Sequence, residues 1–329
     1  MESKVNQEKM QDSVSANDLN DLDRLKWENE MLRLNINELT KTNEFLVAAT
    51  WREREMKQRL HQALEELKET KKLVDAQHKS ITDSINYASR IQDAIIPKYA
   101  DFRGLFKDFF VFHEAKDVVS GDFPWLYHND RYTYVGAVDC TGHGVPGAMM
   151  SLIGFLLLND LASHNDIQPG ELITNLHLGV VRTLKQDVDG KQGADGMDIA
   201  MCRIDHKENE IEFAGAHRPL YHVSNGELTL FAGDKYPIGG NQYKSRGAFT
   251  TYKIKIKEGD CIYFFSDGLT DQFGGPEGMK FGPKRTREIL LANSGKDMMQ
   301  QHAAIREEFD KWMGNHKRID DLLLIGIKF

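Results

Sequence analysis

Five aspartates define the chemistry open to this chain. Asp122 lies in SGDF, Asp139 opens DCTGHG, Asp267 opens DGLTDQ, and Asp320 and Asp321 stand just ahead of LLLIGI. Each adjoins an apolar run that reads as a strand, so a short carboxylate stands at a strand end where backbone can also approach an ion. Taken singly, an Asp-Gly after a strand is a turn signal. Four such sites at the edges of four different strands exceed what turns require, and carboxylate oxygens in that number suit hard cations such as Mg²⁺ or Mn²⁺. Two divalent ions about 3.5–4 Å apart, with a water of lowered pKa between them, are a common means of hydrolysing phosphate esters. The three cysteines, Cys140, Cys202 and Cys261, are widely spaced and odd in number, which excludes a disulfide framework and a C-x-x-C zinc knuckle. No C-x5-R loop offers a cysteine nucleophile.

The elements that would position these carboxylates lie beyond residue 100. Strands are expected over 109–113, 132–138, 198–204, 210–214, 219–223, 251–256, 261–266 and 322–327. Helices are expected over 146–162, 169–186, 283–293 and 296–313. The short HKENE and SNGE connections argue for antiparallel hairpins, and the helices cluster instead of alternating with strands. That pattern is α+β and layered.

Residues 1–18 are polar, lack periodicity and are expected to be disordered. From Leu22 a heptad keeps one register. With Leu25 at d, the later d sites are Leu32, Leu39, Leu46, Glu53, Leu60, Leu67, Val74, Ile81, Ala88 and Ile95, of which only Glu53 is polar. Two helices packing along one seam require this spacing. The a sites include Asn29, Ile36 and Asn43; a buried Asn at a fixes a parallel, in-register pair. The seam Leu25, Asn29, Leu32, Ile36, Leu39, Asn43 and Leu46 therefore predicts a long parallel coiled coil over 19–79 and a homodimer. Polar Thr50, Glu53 and Lys57 mark a weak point in it. Between 80 and 97 apolar and small residues widen the stripe, so this stretch must touch something besides its twin.

In order, SGDF, DCTGHGVPGA, DGMDIAMC, AGAHRPLY, SDGLTDQ and DDLLLIG resemble the metal-dependent protein phosphatases of the SpoIIE/RsbU type, a bacterial branch of the type 2C (PPM) serine/threonine phosphatases. The resemblance spans about 102–329. It implies an αββα sandwich of two antiparallel sheets flanked by helices, preceded here by the coiled-coil helix, with the phosphatase domain at 101–329. It implies that Asp122 and Asp139 flank two Mn²⁺ or Mg²⁺ ions, with the Cys140 carbonyl, Asp267 and either Asp320 or Asp321 as further ligands. Asp271 would serve a looser third ion. Asp198 falls in a stretch the family keeps near the site, without a ligand role that spacing assigns. Ser120 replaces the first glycine of the usual GGDF, which is tolerated if that backbone does not need positive φ. His143 lies in TGHG and His217 in AGAHRP, each open between a catalytic and a structural role.

The implied reaction is hydrolysis of phosphoserine or phosphothreonine on a protein partner, an anti-anti-sigma-like (STAS) protein of a partner-switching pathway among the candidates. The helix entering such domains acts as a switch, which assigns residues 80–100 as linker and switch, with Ile81, Ile85, Ala88, Ile91 and Ile95 on its apolar face. An upstream regulator would act through the coiled coil. The alternative is a non-catalytic scaffold carrying a degenerate phosphatase fold; retention of every carboxylate position argues against it. A histidine kinase built on His78 lacks nucleotide-binding glycine boxes, and neither a GG[DE]EF pattern nor a GxxxxGK[ST] loop occurs. Against 42 Lys and Arg stand 50 Asp and Glu among 329 residues, a net charge of -8 that disfavours a nucleic-acid surface. No apolar run approaches the roughly 18 residues of a membrane span and no signal peptide is evident, so the expected location is the cytoplasm.

Overall fold

A computed structural model of the chain describes residues 2–329 apart from 165, 188–192, 194 and 241–246, with side chains from Asp21 onward except His164. Contacts divide it into two units, Met1–Ser80 and Ile81–Phe329. The first is helix alone. Helix α1 runs Glu2–Ile95 and takes in residues 2–18, which were expected to be disordered. Neither Pro nor Gly occurs before Pro97, so nothing interrupts the helical backbone there. Its heptad leucines Leu25, Leu32, Leu39, Leu46, Leu60 and Leu67 are exposed in the single chain.

In the second unit a short helix, α2 (Tyr99–Arg103), leads to strands β1 (Asp108–Glu114), β2 (Phe123–His128) and β3 (Tyr132–Cys140). Helices α3 (Gly144–His164) and α4 (Pro169–Thr183) follow, then β4 (Gly196–Asp205), β5 (Glu210–Ala216), β6 (Leu220–Ser224), β7 (Glu227–Phe231), β8 (Ile238–Gly239), β9 (Tyr252–Lys255) and β10 (Cys261–Phe265). Helix α5 (Asp267–Asp271), the small pair β11 (Phe273–Gly274) and β12 (Met279–Lys280), helices α6 (Gly282–Asn293) and α7 (Met298–Met313), and β13 (Leu322–Lys328) end the chain. One sheet has the order β1-β13-β10-β6-β7 and the other β2-β3-β4-β5-β9, with β8 paired to β4; these strand pairs are antiparallel.

Period-two alternation explains why the central strands read as unbroken apolar runs: both faces are buried. Ile262, Phe264, Leu323, Ile325 and Ile327 point between the sheets, where they meet Val135, Ala137, Ala200 and Cys202. Their neighbours Cys261, Tyr263, Leu322 and Leu324 face α6 and α7 with Leu290, Ile305 and Phe309. On the far side Tyr134, Val138, Ile199 and Met201 pack under α3 and α4. The result is the expected αββα sandwich. The β6–β7 hairpin turns on Asn225-Gly226, both at positive φ (51° and 79°), as a two-residue hairpin loop requires.

One expectation is corrected. Gly144–Ser163 of α3 is long and apolar enough, at a mean hydropathy of 1.5, to cross a membrane on length and composition. Its small residues Gly147, Gly154 and Ser151 interrupt the apolar run in the sequence without making the helix polar. Here α3 is an outer layer of the sandwich: Met150, Leu158 and Ala162 are buried with Phe123 and Trp125, and the Trp125 indole donates to Asn159 Oδ1 at 2.9 Å.

Candidate metal centre

Three loops meet backbone to backbone at one rim of the sandwich. A Cβ on Gly121 would lie 2.6 Å from the Gly142 carbonyl oxygen, and one on Gly147 would lie 2.2 Å from the same atom. The glycines of SGDF and VPGA are therefore the condition for these loops to touch TGHG. On the opposite sheet a Cβ on Gly268 would lie 1.9 Å from the Asp321 carbonyl oxygen, which ties the SDG turn to the Asp320-Asp321 pair. Ser120 is not at positive φ, so a serine is accommodated there. Its hydroxyl accepts the Asp122 N–H at 3.0 Å and donates to the Asp122 carbonyl at 2.9 Å, which curls the loop about that aspartate.

The carboxylates converge on this rim. Asp122 is 3% exposed, and its Oδ2 is buried without a hydrogen-bond partner. Burial pushes its carboxyl well above the usual range, and the charges of Asp139, Asp321 and Asp320 add to the rise while the Ser266 hydroxyl opposes it. Asp139 and Asp198 stand directly opposite each other across β3 and β4. Burial pushes Asp139 up to about 7, with Arg218 pulling it down and Asp267 and Asp198 pushing it up. Asp139 Oδ2 also accepts the Asp267 N–H at 3.2 Å, where β10 gives way to α5. Burial likewise raises Asp320 and Asp198. Asp321 differs from Asp320: its two oxygens accept the N–H groups of Lys116 and Gly121, both at 2.7 Å, so its carboxylate is consumed in holding loops. Among the described residues Asp320 accepts the Asp321 N–H alone, at 2.9 Å.

A guanidinium sits among these groups that sequence reasoning did not anticipate. One terminal nitrogen of Arg218 lies 2.7 Å from Asp139 Oδ2, 2.8 Å from Asp267 Oδ2 and 3.2 Å from Asp198 Oδ2. Among the described residues no group of three or more His, Cys, Asp or Glu stands ready to hold an ion, and the cation joining Asp139, Asp198 and Asp267 is the guanidinium itself. The only signal in the sequence was an arginine inside AGAHRP, between a histidine and a proline. Asp271 is drawn off by Lys280, 2.7 Å away. His143 Nδ1 pairs with Asp117 Oδ2 at 2.8 Å and His217 Nδ1 with Asp198 Oδ1 at 3.0 Å; Nδ1 of each ring is thus engaged by a carboxylate. Burial raises the Cys140 thiol well above its usual range, so its side chain does not offer a thiolate.

The end of α1 reaches the same rim through Gln92. Its side-chain amide donates to the Ser120 carbonyl at 2.6 Å and to Ser151 Oγ at 2.8 Å, and its Oε1 accepts the Ser120 N–H at 3.1 Å. Of the residues expected on the switch face, Ile85, Ala88 and Ile95 are half-buried while Ile81 and Ile91 are exposed.

The donor set fits hard divalent cations: an unpartnered buried carboxylate oxygen on Asp122, and a cage of three carboxylates that already holds a positive group. Two antiparallel sheets between helical layers, with such an acidic rim, are the arrangement of the PP2C-type phosphatases. The stage II sporulation protein E (SpoIIE) model matches residues 129–329, and the chain belongs to that family of serine/threonine protein phosphatases. The chain is similar to the SiaA-PP2C domain of Pseudomonas aeruginosa, with 28% identity, 77% of this chain and 99% of that one covered, and a TM-score of 0.70. It shares the fold of the PP2C phosphatase domain, solved with a fragment of the regulatory domain, of SpoIIE from Bacillus subtilis (15% identity, 68% and 63% covered, TM-score 0.55). It also shares that of the RsbU and RsbW domains of a Mycobacterium tuberculosis protein (16%, 67% and 60%, TM-score 0.50). No curated protein matches the chain.

Proposed function

We propose that this chain is a divalent-metal-dependent protein phosphatase acting on phosphoserine or phosphothreonine. In this reading Asp122, Asp139, the Cys140 carbonyl, Asp267 and Asp320 hold two Mn²⁺ or Mg²⁺ ions. The observation that carries it is the convergence of Asp122 and Asp139 with Asp267, from opposite sheets, around a buried unpartnered oxygen. Bound there, the ions would supply a water of lowered pKa and neutralise charge on the phosphate. The chain's own part is positional. Gly121 and Gly147 let the loops close on the Gly142 carbonyl, Asp321 clamps the Gly121 backbone, and Gln92 clamps Ser120. Preorganised groups of this kind need no reorganisation as charge develops on the phosphoryl oxygens.

The exposed heptad stripe supports a parallel homodimer along α1, and Gln92 supports control through the helix that enters the domain. A partner-switching substrate, such as a phosphorylated STAS-like protein, and a cytoplasmic setting agree with the family and with three free, buried cysteines. Hydrolysis of p-nitrophenyl phosphate and of a phosphoserine peptide should require Mn²⁺ or Mg²⁺, and Asp139→Asn should lower it about a hundredfold or more. Hydrolysis that persists in EDTA, or survives Asp139→Asn, would overturn the reading. The second reading, a non-catalytic scaffold, draws on Arg218 filling the cage; it predicts no metal-dependent turnover in either form.

A further inference from the structure

We propose that Arg218 is a resident cation of the centre: its guanidinium fills the Asp139–Asp198–Asp267 cage, and a divalent ion enters that part of the centre only by displacing it. This rests on Asp139 and Asp267 being metal ligands, as proposed above. Asp139 and Asp198 face each other across neighbouring strands, and Asp267 approaches from the other sheet. Like charges so close repel each other unless a cation lies between them. Arg218 supplies one from within the chain.

The seat looks built for the purpose. His217 adopts φ 58°, a left-handed backbone uncommon for a residue with a Cβ. Its N–H donates to the Asp234 carbonyl at 2.8 Å, and the Arg218 N–H folds back to the Ala216 carbonyl at 2.7 Å. The Arg218 carbonyl then rests on bare backbone: a Cβ on Gly215 or Gly233 would lie 2.2 or 2.6 Å from it. The turn thus aims the guanidinium into the cage, yet the fit is incomplete, because Arg218 Nε is buried with no partner. A single positive charge with an unsatisfied donor is a weaker occupant than a divalent ion coordinated by the same oxygens. Loading is therefore an exchange, with the ion in and the guanidinium out. The two ions are consequently unequal. The Asp122 side has no guanidinium to displace, whereas the Arg218 side has its apparent Kd raised by the inverse of the fraction of molecules with an open cage. If about one molecule in ten is open, the site is weakened about tenfold.

Direct Mn²⁺ binding to the full-length, metal-stripped chain tests this, with free Mn²⁺ read by electron paramagnetic resonance. Wild type should show one tighter and one weaker class of site. Arg218→Ala should tighten the weaker class about tenfold, and Arg218→Lys should fall between, since an ammonium is a compact charge without the guanidinium fork. Stripped of metal, Arg218→Ala should melt below wild type, and the gap should close as Mn²⁺ is added. Identical isotherms for wild type and Arg218→Ala would overturn the exchange while leaving the metal reading intact, as would loss of a site in the variant. No Mn²⁺ binding by any form would remove both. If metal-free Arg218→Ala does not fold, the Arg218→Lys isotherm decides: one superposing on wild type refutes the exchange.

Discussion

Replacing Gln92 by leucine tests whether the helix entering the domain holds the acidic loop. Leucine fills most of the glutamine volume, so the change removes hydrogen bonds more than packing. Gln92 is 7% exposed and Ser120 2%, so water does not readily replace what is lost. Two backbone groups of Ser120, its N–H at 3.1 Å and its carbonyl at 2.6 Å, would lose their partner, and Ser151 would lose a donor. An unsatisfied buried group costs about 1–3 kcal/mol, which puts the two Ser120 groups together at about 2–6 kcal/mol. Thermal denaturation should register this as a fall of roughly 4–24 °C, at about 2–4 °C per kcal/mol for a domain of this size. Because Ser120 lies two residues from Asp122 and curls around it, loosening should also raise the Mn²⁺ concentration for half-maximal p-nitrophenyl phosphate hydrolysis. The control is Ser151→Ala: Ser151 accepts one Gln92 bond while its own hydroxyl donates to the Ala148 carbonyl, so the Ser120 contacts survive. A Gln92→Leu protein that melts within about a degree of wild type, with unchanged Mn²⁺ dependence, would refute the clamp.

Two further outcomes follow from the same geometry. Inserting one alanine between Lys79 and Ser80 turns the preceding helix by about 100° relative to the domain, whereas inserting a full heptad restores the phase. Activity and oligomeric state, the latter by light scattering, should change with the first and return toward wild type with the second; equal effects would sink the transmission of a signal by helix phase. For the metal-free chain, burial raises Asp139 to about 7 against an unfolded value near 4, so protonation favours the fold. That contribution is complete below about pH 4 and is lost as pH rises through 7, so melting should be higher at pH 5.5 than at pH 8. Asp139→Asn should flatten the slope, and a wild-type profile that is flat or rises over this range counts against the argument.

How far the fold could be read in advance depended on which faces of each strand are buried. β3, β4, β10 and β13 stood out because both faces pack, leaving nearly unbroken apolar runs. β2 escaped because FPWLYH carries a proline at its second residue; the strand is at a sheet edge, where a missing N–H is tolerated. β7, half-exposed with the pattern ELTLF, was too polar to see. The aspartates were legible because their type and strand-end positions are local properties. The division of labour between Asp320 and Asp321 was not, since it depends on the N–H groups of Lys116 and Gly121, which lie two hundred residues away in the chain. Arg218 was invisible for a related reason. A lone arginine in a polar turn reads as solvated until three distant carboxylates are seen around it.

Gln92 shows how one repeat can serve two ends. In the register that puts Leu25 at d, Ile85 and Gln92 are a sites and Ala88 and Ile95 are d sites. Upstream, d residues such as Leu25, Leu32 and Leu39 are exposed in the single chain, and Ile81 is still exposed. From Ile85 onward the same stripe turns inward: Ile85, Ala88 and Ile95 are half-buried, and Gln92 is buried with its amide on Ser120. A single helical face therefore passes from solvent to the domain between Ile81 and Ile85, with no change of register. In the proposed dimer the upstream face is held by the twin. Between Ile81 and Ile95 the helix contains neither Pro nor Gly, so a rotation imposed at Ile81 would reach Gln92. A polar residue at a would weaken a coiled coil that continued through it; here it is the one side chain on that face able to grip the backbone of the loop carrying Asp122.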